Sequence, residues 1–193
     1  MTDPAAGGPD SAAHTAPEHG VGCTPSPGRI GRPSAVLLCG VAGSGKTTYA
    51  LQLQERGFAR LSIDEEVWCR HGRFGVDYDP GRFIELAAAA EELLRARLVA
   101  LLRDGRDVVV DFSFWQRASR DRYKGIVTAA GGAWRLVYFD VDAAELRRRL
   151  AVRSGRFDAN AAFLIDDALL AAYLEGFEVP DGEGEERAGN QQL

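Results

Sequence analysis

Gly40, Gly45, Lys46 and Thr47 hold the spacing G-x-x-x-x-G-K-T within the run GVAGSGKTT. Glycines there let the backbone turn so sharply that successive N–H groups point into one anion-sized hollow, and the helix that follows aims its positive N-terminal end at the same place. Such a hollow suits the phosphates of a nucleotide. Gly40, Gly43, Ser44, Gly45, Lys46, Thr47 and Thr48 would form the cradle, Lys46 would reach the β- and γ-phosphates, and the Thr47 hydroxyl would ligate Mg²⁺. Of the 23 basic residues only Lys46 and Lys124 are lysine. A slim ammonium on a flexible stem fits a tight phosphate turn, whereas a planar guanidinium is too bulky for it.

Moving a phosphoryl group from that cradle to a hydroxyl requires a carboxylate that accepts the hydroxyl proton and cations that quench the developing charge. Asp64, just after the strand-like FARLSI, is the candidate base, although a helix N-cap accounts for it equally well. Asp111, after RDVVV, could hold a Mg²⁺-bound water or the acceptor, with Ser113 assisting, or could also cap a helix. Arg153 and Arg156 flank Gly155, a layout suited to a mobile lid that brings guanidinium groups onto the phosphates. Arg147, Arg148 and Arg149 read as a solvated helix face with at most one turned inward. Arg117, Arg120 and Arg122 read mainly as surface, with Arg117 and Arg120 the candidates to grip substrate. Trp68, Phe74, Tyr78, Phe112, Phe114 and Trp115 could wall an acceptor pocket, some of them being plain core.

These groups must be carried by alternating strands and helices. Expected strands are Ala35 to Cys39, Phe58 to Ile63, Arg106 to Val110 and Trp134 to Val141. Helices are expected over Lys46 to Arg56, from Asp79-Pro80 to Arg103, from Gln116 to Ala130, after Asp142, and from Asp166 or Asp167 to Glu175. Asp142 and Glu145 match a capping box. The alternation predicts an α/β layer architecture with a parallel sheet, so that the phosphate loop, Asp64, Asp111 and Asp140 share the edge where the strands end. Residues 1–33 read as a disordered tail, 34–178 as the domain and 179–193 as a polar, acidic tail.

At 193 residues with net charge −5, the chain fits one domain and offers no field for a long polyanion, which favours a small acceptor over nucleic acid. Three cysteines without metal-ligand spacing read as a reducing compartment, with no disulfide and no zinc. No run approaches the roughly 20 apolar residues of a membrane span, and a cytoplasmic location is expected. His71 is the sole histidine after residue 33, which argues against a histidine-based triad.

Taken together, GVAGSGKTT, SIDEEVW, VVVDFSFW, LRRRLAVRSGR and FEVPDGEGEE resemble the P-loop kinase group that includes polynucleotide 5′-kinases, chloramphenicol phosphotransferase and zeta toxins. The resemblance covers about Ala35 to Glu186. It implies a three-layer P-loop NTPase fold with a helical lid and a sheet of four or five strands, in order 2-3-1-4 by analogy. It also implies ATP and Mg²⁺ as cofactors, Lys46 and Thr47 on phosphate and metal, Asp64 as general base, and Arg153 and Arg156 as lid arginines. Two departures stand out. Where polynucleotide kinases of this kind carry an arginine three residues after the base, this chain has Val67, preceded by Glu65 and Glu66. Nothing beyond Phe177 has apolar strand character.

Overall fold

Short runs that are apolar on both faces, such as AVLLC and VVV, are stable only where helices cover both sides of a parallel sheet. The computed structural model, which describes residues 31–153, 155, 158–159 and 165–188, places them so. In chain order the elements are β1 (Ser34–Cys39), α1 (Lys46–Glu55), β2 (Ala59–Leu61), α2 (Ile63–His71), a short 3-10 turn (Pro80–Arg82), α3 (Phe83–Arg103), β3 (Val108–Val110), α4 (Arg117–Ala129), β4 (Ala133–Tyr138), α5 (Ala143–Arg153), α6 (Asp167–Glu175) and β5 (Glu185–Arg187). The sheet is wholly parallel, in the order β2-β3-β1-β4-β5.

Alternate residues of β1 feed two cores. Ala35, Leu37 and Cys39 pack with Val108 and Val110 against Leu94, Leu98 and Leu102 of α3 and Tyr123 and Val127 of α4. Val36 and Leu38 face the other way, with Val109 and Val137, onto Ala50 and Leu53 of α1. That is the three-layer arrangement. A smaller cluster of Val41, Leu146, Leu150 and Leu170 joins the phosphate loop to α5 and α6.

The fifth strand corrects the reading that nothing beyond Phe177 has strand character. β5 pairs Glu185, Glu186 and Arg187 with Leu136, Val137 and Tyr138. It carries no apolar signal because it is an edge strand, where charge is tolerated and discourages further pairing. Cross-strand ion pairs hold it: Arg135 donates to Glu186 at 3.0 and 2.6 Å, and Arg187 donates to Asp140 at 2.6 Å. Glu185–Arg187, within the expected acidic tail, therefore extend the sheet, while the expected N-terminal tail falls, up to residue 30, outside the described residues. Arg32 donates to the Gly131 carbonyl at 3.2 Å, and the Pro33 carbonyl accepts from Ala133 at 2.8 Å.

Two helix starts differ in detail from the sequence reading. Asp142 caps α5 as expected, its Oδ1 accepting from the Ala144 and Glu145 amides, both at 3.0 Å. Glu145 does not complete a capping box, because Arg148 and Arg149 claim its carboxylate. Likewise β2 stops at Leu61 and Ser62 caps α2, with its hydroxyl accepting from Glu65 N at 3.4 Å. Among the described residues no helix is long and apolar enough to cross a membrane.

Candidate active site

The loop between β1 and α1 is built on backbone that side chains rarely tolerate. Gly43 and Gly45 have φ of 84° and 103°, and a Cβ on Gly43 would sit 3.1 Å from Leu150 Cγ. Ser44 is buried, and its hydroxyl has no partner among the described residues. A buried, unsatisfied hydroxyl is costly unless a ligand completes it. Lys46 Nζ donates to the Gly40 and Val41 carbonyls at 2.8 and 2.9 Å. Two of its three N–H bonds are thus committed to the loop, which leaves one for a phosphate oxygen. These features fit a nucleotide.

Thr47 and Asp111 fit Mg²⁺. Thr47 Oγ1 lies 3.4 Å from Asp111 Oδ1, and both line the cleft. Mg²⁺ typically takes only one or two protein oxygens beside phosphates and water. Asp111 Oδ2 is held by Arg60 of β2, whose Nε and Nη2 donate at 3.0 and 2.8 Å. Both side chains are almost wholly buried. Arg60 also pairs with Glu65. This clamp fixes the carboxylate so that Oδ1 faces Thr47, and nothing in the sequence singled Arg60 out. Its signal was position: a charged residue near the end of a strand that meets the cleft, beside β3.

Asp64 sits in the first turn of α2 and lines the same cleft. Because Ser62 provides the cap, capping does not explain Asp64. Its side chain opens to the cleft, yet desolvation by the surrounding walls raises its pKa above the usual carboxylate range; Arg153 opposes the rise and Asp111 adds to it. Asp111 is not a cap either, since α4 begins at Arg117. Burial lowers Lys46 to about 8, against the pull of Asp111 and Asp64.

The lowered Lys46 pKa carries a prediction. Below about pH 8 Lys46 is already charged, whereas above it phosphate binding must restore the proton. Nucleotide binding is therefore expected to take up close to no protons at pH 7 and to approach one proton by about pH 9, with affinity falling over that range. Calorimetry in buffers of different ionisation enthalpy measures this. Uptake that does not change with pH would contradict it.

A cavity of about 510 Å³ gathers Gly43, Gly45, Lys46, Thr47, Thr48, Asp64, Asp111, Ser113, Trp115, Arg149, Arg153 and Tyr173. Gly40 and Ser44 lie in the loop beneath. Arg149 is the inward member of its triplet, donating to the Ser44 carbonyl at 3.3 Å. Tyr173 of α6, unforeseen, meets Trp115 edge-on at 4.6 Å between ring centroids. Arg156 lies outside the described residues.

Three expected substrate residues lie elsewhere. Arg120 is fully buried, donating to Glu183 at 2.8 and 2.6 Å and to the Phe114 and Trp115 carbonyls at 2.9 and 3.2 Å. It braces the loop behind the cleft, because a desolvated guanidinium needs all its donors satisfied. Arg117 is exposed beside Asp121, 3.7 Å away, and its amide donates to Glu178 at 2.6 Å. Trp68 is half-buried on α2 and does not line the cavity. Cys39 is buried, and burial pushes its thiol up to about 11.

A family model described as an AAA domain, AAA_33, matches residues 36–180. The chain belongs to this AAA domain family. No curated protein matches it. Among solved structures, a proposed kinase from Chloroflexus aurantiacus J-10-fl aligns with TM-score 0.64 at 18% identity, covering 82% of this chain and 85% of that one. A gluconokinase from Sinorhizobium meliloti 1021 gives 0.56 at 21%, covering 84% and 85%. The Mycobacterium tuberculosis APS kinase in complex with AMPPNP and APS gives 0.53 at 18%, covering 84% and 91%. At these identities the likeness establishes the fold, which is that of P-loop NTPases.

Proposed function

We propose that the protein transfers the γ-phosphoryl group of ATP to a hydroxyl of a small molecule such as a metabolite, nucleoside, sugar or antibiotic. The observation that carries this reading is the meeting of Lys46, Thr47, Asp111 and Asp64 in one cleft. Lys46, with Arg149 and Arg153, grips phosphate oxygens. Thr47 and the clamped Asp111 are the residues suited to Mg²⁺, which when bound neutralises charge on the β- and γ-phosphates. Asp64 takes the proton of the acceptor hydroxyl as its oxygen bonds to the γ-phosphorus, and the bond to the bridging oxygen breaks with its electron pair leaving on ADP. The kinase neighbours, one with AMPPNP and APS bound, support the same direction.

Polynucleotide 5′-phosphorylation finds less support. Val67 is buried against Leu86 and Ala90, and Glu65 and Glu66 engage Arg60 and Arg70, so the first turns of α2 present no cation for a nucleic-acid phosphate. A nucleotide-dependent switch would need no acceptor base. Incubation with γ-labelled ATP and a panel of nucleosides, aminoglycosides, sugars and 5′-hydroxyl oligonucleotides separates the three. Label in a small acceptor supports the proposal, label in the oligonucleotides favours the second reading, and label in none favours the switch.

A further inference from the structure

Behind the phosphate cleft lies a second cavity of about 260 Å³. The two share Ile63, Phe112, Ser113 and Trp115, so they abut along the loop that follows β3. Beyond the shared residues, its lining includes Glu91 from α3 together with Gln116 and Ser119. Among the described residues Glu91 is held only by the Tyr123 hydroxyl, which donates to Oε1 at 3.0 Å. No ion pair joins it to a described cation, and the neighbouring Arg95 is engaged by Glu92.

The shared wall is firmly built. Phe114 adopts φ of 44°, a conformation an aromatic residue keeps only where its surroundings fix it. Its ring lies 4.9 Å from Tyr123 and 5.6 Å from Phe112, and the Phe114 and Trp115 carbonyls are tied to Arg120. The Ser113 carbonyl accepts from Gly40 N at 3.1 Å, which couples this wall to the phosphate loop. Phe112, Phe114, Trp115 and Glu91 then line a space of the size of a single small ring. Aromatic faces and a carboxylate together favour a cation, and they disfavour an anion.

Resting on the kinase reading above, we infer that this side cavity is the acceptor subsite and that it takes a hydroxyl-bearing ring with an ammonium group, an aminosugar or amino-alcohol, whose amine meets Glu91 while a hydroxyl faces the phosphate cleft. The chemistry disfavours carboxylated and phosphorylated acceptors, for which the described residues of the lining supply no cation.

Transfer from ATP·Mg²⁺ to glucosamine, glucose and gluconate tests this, with Glu91→Gln as the variant, since its amide oxygen still accepts from Tyr123 and keeps the fold. Wild type is expected to favour glucosamine over glucose at least tenfold in kcat/KM, a charge-assisted contact being of that size. In Glu91→Gln the ratio should collapse towards one. A preference for glucose or gluconate, or a glucosamine ratio unchanged by Glu91→Gln, overturns the inference while the kinase reading stands. If no acceptor of any class is labelled, the kinase reading fails and calorimetric titration of glucosamine decides the subsite separately. Binding lost in Glu91→Gln supports it, and no binding to the wild type overturns it.

Discussion

Replacing Asp64 by Asn should leave ATP·Mg²⁺ affinity intact and slow phosphoryl transfer by about 10² to 10⁴. Asparagine keeps the shape and reach of the side chain and loses only its basicity. The alternatives are already occupied: Glu65 pairs with Arg60, and Asp111 is held between Arg60 and Thr47. Asp111→Asn should instead shift the Mg²⁺ requirement or the acceptor KM, as expected of a group placed beside the metal. Because desolvation raises the Asp64 pKa, its carboxyl protonates at a higher pH than an ordinary aspartate. A protonated carboxyl cannot accept the hydroxyl proton, so the acid limb of transfer should lie above the usual aspartate range. Near wild-type transfer by Asp64→Asn at saturating acceptor would move the base to Asp111 or Glu65.

Arg120→Ala should cost about 3 to 5 kcal/mol of stability, the range for breaking a buried ion pair from one side. The arginine and Glu183 side chains are 0% and 2% exposed. Truncation strands the carboxylate and frees two loop carbonyls. Lys124 mitigates the loss, since its Nζ lies 3.4 Å from Glu183 Oε2 and donates to the Glu183 carbonyl at 2.9 Å, which places the expectation towards the lower end. Urea denaturation measures it as a lowered midpoint. Because Arg120 ties the Phe114–Trp115 loop to the C-terminal segment, acceptor KM should rise in this variant while nucleotide affinity holds. A midpoint within experimental error of wild type would show that the pair contributes nothing net.

What the sequence revealed depended on the range of the interactions. The phosphate loop was legible because its function is local: glycines, lysine and threonine act within eight residues of one another, and the flanking strand and helix announce themselves by pattern. The parallel α/β layering followed from apolar runs alternating with helices and from right-handed crossovers, whereas the order 2-3-1-4 came only from the resemblance to P-loop kinases. Long-range pairing was not legible. Arg120 reads as one more arginine on a polar helix, and only the partner 63 residues away shows it to be core. Glu185–Arg187 is a strand by virtue of its neighbours, since its three residues are all charged and it is held by ion pairs to Arg135 and Asp140. Arg60 became meaningful only when β2 and β3 aligned Leu61 with Val110 and brought its guanidinium to Asp111. Ser62 decided the boundary of β2 by capping α2, a competition between strand and cap within two residues of Asp64 that apolar patterning does not resolve.

The account stands on the loop after β1 being a nucleotide phosphate cradle, and titration of the ATP analogue AMPPNP with Mg²⁺ into wild type and Lys46→Ala, beside thermal melts of both, tests that most directly. Losing one charge-assisted contact of about 1.5 to 3 kcal/mol should weaken nucleotide binding roughly ten- to a hundredfold. The melt should change little, because relief of the burial cost that lowers the Lys46 pKa to about 8 offsets the loss of its bonds to the Gly40 and Val41 carbonyls. Equal AMPPNP affinity in the two proteins would contradict the account.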